Sequence, residues 1–169
     1  MTFNGTTTTW DGNATGTFAV SSGAIGGTGA LDLQPGNFNW SGGTIGGAGT
    51  LTTNSGVATL LSNSLTLNRP WVSKNGFTMN AGSSLAINNG GSLTTSGAQT
   101  ININSGAANT ISGTGKFTNA SGSVVHTSPG PGGTTTISAP LDNAGKISLE
   151  SGALVVSGSG TDKIGRAHV

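Results

Sequence analysis

The sequence has no cysteine, no tyrosine, five prolines, and only six basic and five acidic side chains in 169 residues. Without cysteine there is neither a disulfide framework nor a thiolate metal site. Charged residues make up 7% of the chain, against roughly 25% in an average soluble domain. No segment approaches the ~18 consecutive apolar residues of a membrane-spanning helix. Strong helix formers are also scarce, with one glutamate and two glutamines, which argues against an α-helical fold.

Two of the six basic residues fall in the last seven positions, KIGRAHV (163–169). Back-translated, this stretch resembles the start of a sequencing adapter followed by an in-frame stop, so 163–169 is set aside as foreign to the fold. The rest of the chain carries four basic residues (Arg69, Lys74, Lys116, Lys146) and five acidic ones, a net charge of −1. That balance offers no basic surface for nucleic acid. At the other end, Met1 leads into TFNGTTTTW, which has neither the basic start nor the apolar run of a secretory signal. Residues 1–162 are therefore read as a piece of a longer protein.

What the chain does contain is Gly, Ser, Thr and Asn, together more than half of all residues. These are turn residues, but Thr, Val and Ile are spread among them, as strands require. The sequence repeats: SGAIGGTGALDL (22–33) aligns with SGGTIGGAGTLTT (41–53), Ile25 on Ile45 and Leu31 on Leu51. NTISGTGKFTN (109–119) supplies a third copy, with Ile111 and Phe117 expected at the same two places. Between the copies run SLTLN (64–68), GFTMN (76–80), SLAIN (84–88), TININ (100–104), KISLE (146–150) and ALVVS (153–157), each alternating apolar with polar.

Alternation at period 2 sends Leu85 and Ile87, Ile101 and Ile103, and Ile147 and Leu149 inward as pairs. One pair makes no core, but pairs stacked about 4.8 Å apart in successive coils form a continuous ladder. At about 22 residues per coil, the pattern predicts a right-handed, single-stranded parallel β-helix of about seven coils over 1–162, about 35 Å long. Glycines serve its corners, and scarce charge avoids stacking like charges above one another. As an uncapped fragment it should leave strand edges unpaired at both ends, where further coils of the same chain would pair. An antiparallel β-sandwich is the competing arrangement.

SGGTIGGAGTLTTNSG, NTISGTGKFTNASGSVV and especially LDNAGKISLESGALVVSGSGT (141–161) resemble the strand repeats of large bacterial surface and secreted proteins, namely autotransporter passengers and filamentous-haemagglutinin-like adhesins. The resemblance covers nearly all of 15–161. It implies a β-helix, export from the cell, an extracellular or outer-surface location, and a role as an adhesive or stalk segment. Host-surface or extracellular glycans are the partners it brings in.

No catalytic residues, cofactor or metal site are expected. GGTGALDL (26–33) approaches a calcium β-roll repeat, but Asp32 falls one place late and Thr52 replaces it in the second copy, whereas calcium requires several oxygen ligands. No helix follows the GxGxxG-like runs to hold a phosphate. A carbohydrate-active β-helix enzyme requires clustered carboxylates, and only Asp142 and Glu150 lie within ten residues of each other. His126, in SVVHTS, stands without partners in sequence. Trp10, Trp40 and Trp71 are the candidate ligand contacts: on an exposed face they would stack on sugars as in a carbohydrate-binding module, and otherwise they fill the ladder. TTTT (6–9) and TTT (134–136) raise an ice-binding solenoid as a further alternative. Arg69-Pro70-Trp71 and Ser128–Gly132 interrupt the strand rhythm and are read as projecting loops.

Overall fold

The computed structural model describes residues 1–103, 107–128 and 131–161, so the expectation for 163–169 lies outside them. Among the described residues, twenty-one strands and no helix follow one another in seven three-strand turns. The first turn is β1 (Thr7–Trp10), β2 (Thr17–Val20) and β3 (Ala24–Ile25); the second is β4 (Ala30–Leu33), β5 (Gly36–Trp40) and β6 (Gly43–Gly46). The third is β7 (Leu51–Thr53), β8 (Val57–Leu61) and β9 (Ser64–Asn68); the fourth is β10 (Pro70–Ser73), β11 (Phe77–Met79) and β12 (Ser84–Ile87). Then come β13 (Ser92–Thr95), β14 (Thr100–Ile103) and β15 (Asn109–Ser112), followed by β16 (Lys116–Asn119), β17 (Val124–Thr127) and β18 (Thr134–Ile137). The last turn is β19 (Leu141–Asn143), β20 (Lys146–Leu149) and β21 (Ala153–Val156).

Every third strand pairs in parallel, giving three seven-stranded sheets: face I from β1 to β19, face II from β2 to β20 and face III from β3 to β21. This is the β-solenoid that the repeat predicts, and the sandwich is excluded because all the pairings are parallel. Ile25 pairs with Ile45 and Leu31 with Leu51, as the shift of 20 residues requires. Inward columns then run unbroken, for example Leu31, Leu51, Trp71, Leu93, Phe117 and Leu141 on face I. Leu85, Ile87, Ile101, Ile103 and Ile147 are all buried, while Leu149 in the last turn is half-buried.

The third copy of the repeat is displaced. Phe117 joins the Leu31–Leu51 column, but Ile111 pairs with Leu85, which continues the column of Leu65 and Gly43, two places before Ile45. The turn from Leu85 to Ile111 is longer than the one before it. Because the offset is even, the inward side chains stay inward.

Arg69-Pro70-Trp71 is not a projecting loop. Pro70 opens β10, where a strand tolerates a residue without an N–H, and Trp71 occupies the face I column at 0% exposure. Arg69 is also at 0% exposure. Its guanidinium donates from Nε to the carbonyl of Gly49 and from Nη2 to that of Gly29 at 2.7 Å, tying the fourth turn to the third and second. Of Ser128–Gly132, Pro129 and Gly130 lie outside the described residues.

The corners between faces III and I explain the I-x-G-x-G motif. Gly47 sits at φ 109° and Gly113 at φ 107°, and a Cβ on either would collide with the carbonyl oxygen one turn below, that of Gly27 or Ile87. Only glycine satisfies both the positive φ and the close approach.

At the edges of the stack, Met1 and Phe3 bond to the Gly26 backbone, and Leu141 and Asn143 donate to the carbonyls of Ser159 and Thr161. β2 and β20 each pair on one side only.

Candidate functional site

The three tryptophans stand on two faces: Trp10 and Trp71 belong to face I strands and Trp40 to a face II strand. They join an internal aromatic stack in which Trp10–Phe18, Phe18–Phe38, Phe38–Trp40 and Trp40–Trp71 have ring centroids 5.7, 5.9, 6.4 and 6.4 Å apart. Trp40 and Trp71 are at 0% exposure, so neither presents a ring face to solvent, and Trp10 is half-buried. Their indole N–H groups are satisfied internally, Trp40 by the Gly42 carbonyl and Trp71 by Thr53 Oγ1, each at 3.1 Å.

Asp32, Asp142 and Glu150 are dispersed into small outward networks. Asp32 accepts from Gln34 Nε2 at 2.7 Å and from the Asn54 amide, and Asn54 in turn accepts from Lys74 Nζ at 3.0 Å. Both Asp32 oxygens thus meet amide donors. Asp142, on face I, pairs with Lys116 at 2.7 Å and accepts from Thr161 Oγ1 at 2.9 Å. The Lys116 hydrogen bond, then those of Thr161, hold its carboxyl below the usual aspartate range. Glu150, just past the end of a face II strand, pairs with His126 at 2.8 Å. His126 therefore has the partner that its sequence neighbourhood did not show. Asp142 and Glu150 each serve a separate pair, and the fold does not bring them together. Among the described residues no three or more of His, Cys, Asp and Glu group to hold a metal.

Threonine runs are separated likewise, with Thr7–Thr9 on face I and Thr134–Thr136 on face III.

A recess does occur on face II. From Trp71 to Phe77, the inward residues on either side of the corner between faces I and II, the chain takes two residues fewer than from Leu51 to Thr59 or from Leu93 to Ile101. This corner is thus shorter than the ones above and below it. It leaves a shallow cavity of about 430 Å³ across β8, β11 and β14. Val57, Ala58, Phe77 and Ala98 supply its apolar surface, and Thr59, Asn75, Thr78, Gln99, Thr100 and Asn102 its polar side chains. Asn75 Nδ2 donates to the Val57 carbonyl and Gln99 Nε2 to that of Ser96, each at 3.1 Å, which fixes both amides. None of these residues stood out in the sequence. The only signal was the spacing of inward residues, and it is readable only once the turns are aligned.

No protein-family model, curated protein or solved structure matches the chain.

Proposed function

We propose that this chain is a structural and adhesive segment of a long bacterial surface or secreted repeat protein, and that it performs no catalysis. The observation that carries this reading is the repetition itself: seven turns build the same three-strand unit, each burying its inward pairs against the next. Such a rod extends reach by adding turns, which is what a stalk or surface passenger requires. Asp142 and Glu150 support the reading too, since each is engaged in a separate surface pair. Hydrolysis of a polysaccharide requires two carboxylates across one scissile bond.

Two measurements test the proposal. Cells displaying the chain on their surface should adhere to host-derived or abiotic surfaces more than cells displaying an unrelated domain, and sequencing outward from the gene should find further coils in frame together with an export signal. Loss of a measured polysaccharide-depolymerising activity in an Asp142→Ala/Glu150→Ala double variant would overturn it in favour of an enzyme.

A further inference from the structure

We infer that the recess on face II is a binding site for a short, neutral oligosaccharide. The inference deepens the adhesive reading and moves the sugar contact away from the tryptophans, two of which are sealed inside.

The chemistry of the lining selects the ligand. None of the residues lining the recess is charged, so a phosphate, sulfate or carboxylate would find no counter-charge there. Lys74 adjoins Asn75, but its Nζ is committed to Asn54 Oδ1 at 3.0 Å. A purely apolar ligand fits no better, because six neutral hydrogen-bonding side chains would face it. Three of those six are amides, and each amide carries a donor pair and an acceptor on one plane. That arrangement suits adjacent hydroxyls of a sugar ring, each of which both donates and accepts. The Thr78 and Thr100 hydroxyls, neither of them buried, rotate to match whichever sense the sugar presents. Ala58 and Ala98 are exposed, with Val57 and Phe77 buried beside them, and they give the sugar's C–H face an aliphatic seat. The volume lies within the roughly 300–1,000 Å³ typical of small-ligand sites.

The recess is also sturdily built. Asn75 is tethered to the Val57 carbonyl of the preceding turn and Gln99 to the Ser96 carbonyl of its own corner, and Thr78 and Asn102 stand in register on β11 and β14. A second cavity of about 480 Å³ lies at the corner of Gly47, Asn68 and Asn89, but Asn68 and Asn89 are its only hydrogen-bonding side chains.

The test is an array of immobilised neutral oligosaccharides (cello-, xylo-, manno- and malto-series) beside sialylated and sulfated ones, probed with the full chain. The strongest neutral hit is then titrated by calorimetry. Retention of at least one neutral series is expected. Gln99→Ala/Asn102→Ala should weaken it about tenfold, from two lost hydrogen bonds, and Ala58→Trp should fill the recess and abolish binding. Far-ultraviolet dichroism confirms that both variants fold. Three results would overturn the site: no neutral glycan retained by folded protein, retention of anionic glycans alone, or neutral binding that both variants leave unchanged. Adhesion by displayed cells that survives both variants would remove the recess and leave the adhesive reading standing. Sugar binding in solution without adhesion would do the reverse.

Discussion

Replacing Arg69 by methionine keeps most of an unbranched stem in place and removes the guanidinium. In the native fold that group reaches Gly49 and Gly29, 20 and 40 residues back in the chain. Its loss leaves two carbonyls facing a buried position, at about 1–3 kcal/mol each. An opposing term exists. Among the described residues Arg69 has no carboxylate partner and its Nη1 no hydrogen-bond partner, and burial lowers its pKa, all of which mark a cation that is costly to bury. Two charge-assisted bonds outweigh that relief, so Arg69→Met should cost about 2–4 kcal/mol net. For a domain of this size that moves a urea midpoint down by about 1 M with little change in slope. Tryptophan fluorescence suits the assay, because Trp40 and Trp71 lie in the turns that Arg69 joins. Arg69→Lys, a compact charge able to reach one carbonyl, should fall between the two. A methionine variant as stable as the parent would refute the reasoning and show that desolvation dominates at this site.

Gly47→Ala meets both a left-handed φ and the Gly27 carbonyl, so its melting temperature should drop by several degrees, whereas Gly26→Ala, which opens into free space, should melt within a degree or two of the parent. Asp142 should titrate in a carbon-detected NMR experiment with a midpoint below the ordinary aspartate value of 3.8. Its folded-state pKa is depressed, so its contribution to stability is present above the unfolded value and fades as pH falls through the folded one. Lys116→Ala should move the midpoint upward, and an unchanged midpoint would show that the pair is not formed in solution.

The solenoid was legible where the chain repeats itself. Ile25 over Ile45 and Leu31 over Leu51 could be placed because consecutive turns share both length and motif, and the inward pair Leu85 and Ile87 because strict alternation leaves one side apolar. Arg69-Pro70 was misread because a cation and a proline are ordinarily breakers. What seats them is the column position of Trp71, 20 residues after Leu51, and that constraint is tertiary. Ile111 was misplaced because an even change in turn length slides a motif along its ladder without turning it over, so local pattern alone cannot detect it. The recess depends on a difference of two residues between corners, and no composition or motif carries that. The buried polar column Thr53, Ser73, Thr95, Asn119 and Asn143 at the inward end of face I was equally silent, because these residue types also suit corners. Asn119 Nδ2 donating to Asn143 Oδ1 at 2.7 Å shows how the fold uses them inside.

All three sheets direct their backbone hydrogen bonds from one turn to the next, along the axis of the stack. Tension applied along that axis therefore meets the bonds of one turn at a time and peels the rod like adhesive tape. Each turn released, such as the 20 residues from Ile25 to Ile45, pays out about 70 Å of chain in place of about 5 Å of rod. A rod built this way yields under axial load in many small steps, its length growing one turn at a time.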